Sequence, residues 1–110
     1  MTGLRPLSDS VEQVSQLYAA RFGIDRDATW FLLKLQEEVG ELTQAYLAAT
    51  GQARAKGRTP EELRTAFADE AADVLAHVLL LARHHDIDLE DVVQRKWLSR
   101  LSAAQSEQPE

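Results

Sequence analysis

Four carboxylates in this chain are spaced so that they can act together. Glu38 and Glu41 lie three residues apart within KLQEEVGE (34–41), and Glu70 and Asp73 lie three apart within EAAD (70–73). On an α-helix, residues i and i+3 share a face one turn apart, so each pair points one way. Like charges at that spacing repel by roughly 0.2–0.5 kcal/mol when exposed, and by more when partly buried. Two such pairs on facing helices call for a cation between them, and all-oxygen donors suit Mg²⁺, with Mn²⁺ as the alternative.

The apolar pattern around the carboxylates supplies those helices. Leu63, Phe67, Val74, His77 or Val78, and Leu81 alternate by threes and fours, and Glu70 occupies an inward position of that seam. An unpaired carboxylate is costly to bury, so a glutamate inside a seam is a functional signal. In the preceding helix Leu32, Leu35, Val39, Leu42, Tyr46 and Ala49 form the seam, and Lys34, Glu38, Glu41 and Ala45 form the row beside it.

The rest of the chain reads as helices with short connections. Residues 1–8 read as a loose arm, and Ser8, Asp9 or Ser10 offer N-caps to a first helix whose apolar face is Val11, Val14, Leu17, Tyr18 and Phe22. Gly23 stops it, and Asp25 or Asp27 caps a second helix over 28–50, with Gly51 just beyond. Residues 51–59 carry two glycines and three basic residues and read as a loop. Thr59-Pro60-Glu61-Glu62 is a capping box opening a third helix that runs to His84. Asp88 caps a fourth helix over 89–104, and residues 105–110 read as a frayed tail. No stretch alternates with period two and no hairpin signal occurs. The expected fold is all-α: one domain over 1–110, a four-helix bundle.

Composition excludes several functions. There is no cysteine, hence no disulfide, thiolate metal site or cysteine nucleophile. A net charge of −6 argues against a nucleic-acid polymer or an anionic membrane as the main partner. The first residues lack a basic region followed by an apolar one, and no apolar run is long enough to span a bilayer, so a cytoplasmic location is expected.

The order EExxE, a gap, then ExxD before an apolar helical run resembles the MazG-like nucleotide pyrophosphohydrolases of the all-α NTP pyrophosphatase superfamily. Here it reads Glu37-Glu38-Val39-Gly40-Glu41 and Glu70-Ala71-Ala72-Asp73, and HHDIDLEDVVQRKWLSR (84–100) is similar to that family's last turn and helix. The resemblance covers roughly residues 28–100. It implies that Glu38, Glu41, Glu70 and Asp73 are the Mg²⁺ or Mn²⁺ ligands, and that Glu37 accepts a proton from the attacking water or helps to place a metal. It also implies cleavage between the α- and β-phosphates of a nucleoside triphosphate. The phosphoribosyl-ATP pyrophosphohydrolases of histidine synthesis share the fold and an EAAD-type helix, so that branch stands as the alternative. The chain departs from the family near Arg100, where relatives often carry asparagine one turn after lysine.

Other side chains could complete a nucleotide site. Lys34 is one turn before Glu38 and reads either as a phosphate contact or as an ion-pair partner of Glu38. Lys96 and Arg100 are an i,i+4 pair beside Val93, Trp97 and Leu101, and could clamp phosphates or form a solvated basic face. Trp30 could stack on a base or pack in the core, and Trp97 reads as core. His77, one turn after Asp73, reads as a hydrogen-bonded core histidine rather than a ligand. A di-iron redox bundle is disfavoured because no glutamate has a histidine three residues on. A non-catalytic helical interaction module is the remaining rival. Trp30, Phe31 and Leu33 widen the second helix's stripe beyond one face, which predicts a homodimer or a dimer of dimers.

Overall fold

The computed structural model describes residues 3–107; of residues 102 and 105–107 the backbone alone is described. Its elements are α1 (Arg5–Phe22), α2 (Ala28–Ala49), α3 (Pro60–His84), α4 (Leu89–Val93), a π-helical turn (Gln94–Leu98) and α5 (Ser99–Glu107). There is no strand among the described residues.

The helix ends follow from local chemistry. Asp27 Oδ1 accepts from the Trp30 N–H at 2.8 Å and starts α2. Thr59 Oγ1 accepts from the Glu62 N–H at 3.1 Å while Glu62 Oε1 accepts from the Thr59 N–H at 2.8 Å, the reciprocal box expected before α3. Asp88 Oδ1 accepts from the Asp91 N–H at 3.2 Å and opens α4. Gly23, at φ 65°, ends α1 in the left-handed conformation that only glycine adopts without steric cost.

The first helix begins earlier than its polar cap candidates imply. Pro6 is preset for the first turn, and Leu4 closes that turn by accepting from the Ser8 N–H at 2.8 Å. The loose arm is therefore helical from Arg5; residues 1–2 lie outside the described residues. At the other end α5 runs to Glu107, so the frayed tail is helical over 105–107, and 108–110 lie outside the described residues.

Packing is built on the antiparallel hairpin of α2 and α3, with α1 laid against α3. Phe31, Ala48, Leu63, Leu79, Leu80 and Ala82 are the buried apolar side chains of the hairpin. Arg26, in the α1–α2 connection, holds Glu12 of α1 through two 2.9 Å bonds and Ser15 through one of 3.1 Å. Arg83, at the end of α3, reaches Asp9 of α1 at 2.6 Å.

Four expectations are corrected by this packing. The α2 seam is split: Leu35, Leu42 and Ala49 turn inward, whereas Leu32, Val39 and Tyr46 stand exposed. The expected face of α1 is largely open, Leu17 being 72% exposed, because α1 meets one helix over part of its length. Phe31 is buried, stacked on His84 at 4.5 Å, and so widens no outer stripe. Finally, α4, the π-turn and α5 pack chiefly on one another and not into a four-helix bundle, which leaves Trp97 58% exposed where core was expected.

Candidate metal centre

Halfway along the α2–α3 hairpin, where an all-apolar contact would be expected, the interface turns acidic. Carboxylate oxygens of Glu38, Glu41 and Glu70 lie within 4.8 Å of one another. Glu38 is the deepest of them, 7% exposed, although the pattern had placed Glu70 in the seam and Glu38 at its border. The reason is that Glu38 lies only a small rotation from the inward row of Leu35 and Leu42, so closing α2 onto α3 carries it inside. Glu70 is half-buried and Glu41 exposed.

The electrostatics are those of a site awaiting positive charge. Burial pushes the Glu38 carboxyl up to about 7, with the neighbouring Glu41 and the charge of Asp73 adding to the rise. Lys34 pulls the other way. Glu70 is raised as well, first by burial and then by the charges of Glu41 and Asp73. Asp73 stands outside the 4.8 Å group, yet its charge is felt by both Glu38 and Glu70. Glu38 Oε2 and Glu70 Oε2 are fully enclosed and have no hydrogen-bond partner. A buried carboxylate oxygen without a donor costs a few kcal/mol, roughly 1–3, and a cation is the partner that removes that cost for both at once. The donor set, all oxygen and anionic, could hold a divalent cation of the Mg²⁺ type.

Around this centre the other candidates fall into two groups. Lys34 is at the site, 3.2 Å from Glu37 Oε1 and 4.0 Å from Glu38 Oε1. Burial opposes its charge, but its bond to Glu37 and the charges of Glu37, Glu38 and Glu41 hold its pKa above the usual lysine value. Glu37 projects to solvent from the Lys34 bond. Trp30 is half-buried, its ring steeply inclined to those of Phe31 and His77. By contrast, Lys96 and Arg100 are carried on the projecting C-terminal segment, where Arg100 lies 5.0 Å over the Trp97 ring. One chain does not bring them to the carboxylates.

His77 is the residue that the pattern undervalued. Its Nε2 is 3.8 Å from Glu38 Oε1, and its Nδ1 is enclosed without a partner. Burial, followed by the charge of Lys34, lowers its pKa. The signal was its position one turn beyond Asp73 on the ligand side of α3. With Trp30, Tyr18, Val14 and Leu80 it lines a cavity of about 560 Å³ between α1 and the hairpin, and Lys34, Glu38 and Asp73 form the polar end of that cavity. Its size and mixed lining are those of small-molecule sites.

Among the described residues no helix is long and apolar enough to cross a membrane. No curated protein matches the chain. Residues 10–95 match the family described as phosphoribosyl-ATP pyrophosphohydrolase. With a carboxylate centre on the hairpin and that match over most of its length, the chain belongs to this family and, through it, to the all-α NTP pyrophosphatase (MazG-like) superfamily of nucleotide pyrophosphohydrolases.

Proposed function

We propose that this protein is a Mg²⁺-dependent pyrophosphohydrolase that cleaves the α–β phosphoanhydride of a nucleotide triphosphate group, leaving a monophosphate and pyrophosphate. The observation that carries the reading is the pair of enclosed, partnerless oxygens of Glu38 and Glu70 converging with Glu41. A cation held there supplies charge neutralisation for the phosphates and favours ionisation of the attacking water. Glu38, Glu41, Glu70 and Asp73 would be the ligands. Such hydrolysis needs positioning and charge compensation more than a covalent protein intermediate, which fits a chain with no cysteine.

The side chains next to the cluster take the remaining roles. Glu37, outside the buried group, accepts the proton of the attacking water. Lys34 contacts the phosphate nearest the cluster. Trp30 meets the base in the apolar cavity, so that the triphosphate runs from the cavity to the carboxylates. Lys96 and Arg100 bind the departing phosphates, which requires the C-terminal segment to approach a carboxylate centre. The family match favours phosphoribosyl-ATP as substrate, and the carboxylate chemistry serves a simple nucleoside triphosphate equally.

The test is release of pyrophosphate from phosphoribosyl-ATP and from a panel of nucleoside triphosphates, with Mg²⁺ or Mn²⁺, beside Glu38→Gln and Asp73→Asn. Metal-dependent formation of monophosphate and pyrophosphate, reduced at least about 100-fold in both variants, supports the reading. Release of orthophosphate, or no turnover of any panel member with either metal, would refute it. With no turnover at all, the protein would be a helical interaction module.

A further inference from the structure

We infer that His77 is a positioning residue of the carboxylate centre: its Nε2–H steadies one oxygen of Glu38, Oε1, and so leaves the other, Oε2, for a divalent cation. The inference rests on the cation-site reading proposed above and adds to it the group that orients the deepest ligand. The two oxygens of Glu38 have unlike surroundings. Oε1 faces the Lys34 ammonium at 4.0 Å and His77 Nε2 at 3.8 Å. Oε2 is fully enclosed and has no hydrogen-bond partner, a condition it shares with Glu70 Oε2. Among the described residues, then, one oxygen is turned to donors and the other to none. That is the arrangement of a carboxylate that ligates through one oxygen and is oriented through the other.

The two donors differ in what they can fix. Lys34 stands on the same helix as Glu38, and its ammonium lies nearer to Glu37 Oε1, at 3.2 Å. A point charge on a flexible four-carbon stem exchanges one anion for another and holds no single geometry. His77 stands on α3, two turns beyond Glu70 and one beyond Asp73, so it shares their face and meets Glu38 across the hairpin. Its side chain is only 17% exposed, and the Trp30 ring lies beside it at 6.2 Å between centroids. The packing of α2 on α3 therefore sets where Nε2 sits relative to Glu38, and a rigid ring carries that setting to the carboxylate.

The enclosure of the ring also selects its tautomer. Nδ1 is shut from solvent and has no hydrogen-bond partner. In the uncharged imidazole one nitrogen carries the proton and the other accepts. A proton on Nδ1 would be an enclosed donor with no acceptor, whereas a proton on Nε2 is directed at a carboxylate. The proton is therefore placed on Nε2, the nitrogen that faces Glu38.

The test is calorimetric titration of Mn²⁺ at pH 8 into wild type, His77→Gln, His77→Asn and His77→Phe, each shown to be folded by circular dichroism. Glutamine puts an N–H at the reach of Nε2, asparagine only at that of Nδ1, and phenylalanine keeps a ring and removes both. The expected result is an affinity within a few-fold of wild type for His77→Gln, and one at least about 10-fold weaker for the other two. Equal affinities in the three variants, whether unchanged or weakened alike, overturn the inference and leave His77 a packing residue. Wild type that binds no Mn²⁺ overturns the cation-site reading together with it, so the two failures are told apart. If a variant fails to fold, nitrogen-15 NMR of the wild-type imidazoles decides. His77 is then expected to carry its proton on Nε2, with a resonance that shifts when Mg²⁺ is added. A proton on Nδ1, or a resonance that Mg²⁺ leaves unmoved, overturns the inference. Neither readout involves catalysis.

Discussion

Replacing Glu38 by glutamine should stabilise the metal-free protein while abolishing its response to metal. In the folded chain burial pushes this carboxyl up to about 7, against an ordinary value of 4.5. A shift of one pKa unit corresponds to 1.36 kcal/mol, so ionising the buried group costs about 3 kcal/mol of folding free energy. The sign follows from linkage. A carboxyl with a raised folded pKa favours the fold fully below the unfolded value, and that contribution disappears as pH rises from about 4.5 through 7. Glutamine removes the titration but also the contacts to Lys34 at 4.0 Å and His77 at 3.8 Å, which reduces the net gain at pH 8 to about 1–3 kcal/mol. For a domain of this size that is a rise in Tm of roughly 4–20 °C. His77 titrates in the opposite sense, so wild type and variant are compared at each pH. The assay is thermal unfolding between pH 5 and 8 in chelator, repeated with millimolar Mg²⁺ or Mn²⁺. Wild type should lose stability relative to the variant as pH rises, and regain it with metal. A variant less stable than wild type at pH 8, or a difference that does not change with pH, would refute the reasoning.

Other outcomes follow from the same contacts. Glu70→Gln should shift metal-free stability in the same direction as Glu38→Gln, since burial raises that carboxyl too, and urea midpoints in chelator at pH 8 will show it. Arg26→Ala leaves Glu12, which the guanidinium holds below its usual pKa, without its partner; a loss of about 1–3 kcal/mol in urea unfolding is expected, diminishing as pH falls and Glu12 takes up its proton. Thr59→Ala removes one half of the capping box and should cost about 1 kcal/mol by the same assay. Trp30→Ala should raise KM more than it lowers kcat if the ring contacts the base, measured by pyrophosphate release.

How much of this was legible in the sequence depended on the range of the physics involved. Thr59, Asp88, Gly23 and Asp27 act on backbone groups within a turn, and their consequences were readable one residue at a time. Three of the four spaced carboxylates converge because i, i+3 geometry on paired helices leaves few alternatives. Which of them is deepest was not readable, because a small rotation of α2 exchanges the border row with the seam. Hydrophobic pattern also records every apolar face without saying what covers it. Leu32, Val39, Tyr46 and Trp97 looked like core for that reason, yet stand exposed in the single chain. Lys96 and Arg100 looked close to a seam, but α4 and α5 do not pack into the hairpin, and no local signal in residues 85–88 sets the direction of that segment. His77 was underrated because a histidine on an apolar helix side is more often satisfied than orphaned, and its unpartnered Nδ1 is visible only in three dimensions.

The central claim is that the carboxylates on the hairpin form a divalent-cation site. It is tested most directly by calorimetric titration of Mn²⁺ into wild type, Glu38→Gln and Glu70→Gln at pH 8. Saturable binding to wild type that is lost or weakened at least about 10-fold in both variants is the predicted result. Absence of binding to wild type, or binding that both variants retain unchanged, would contradict the account.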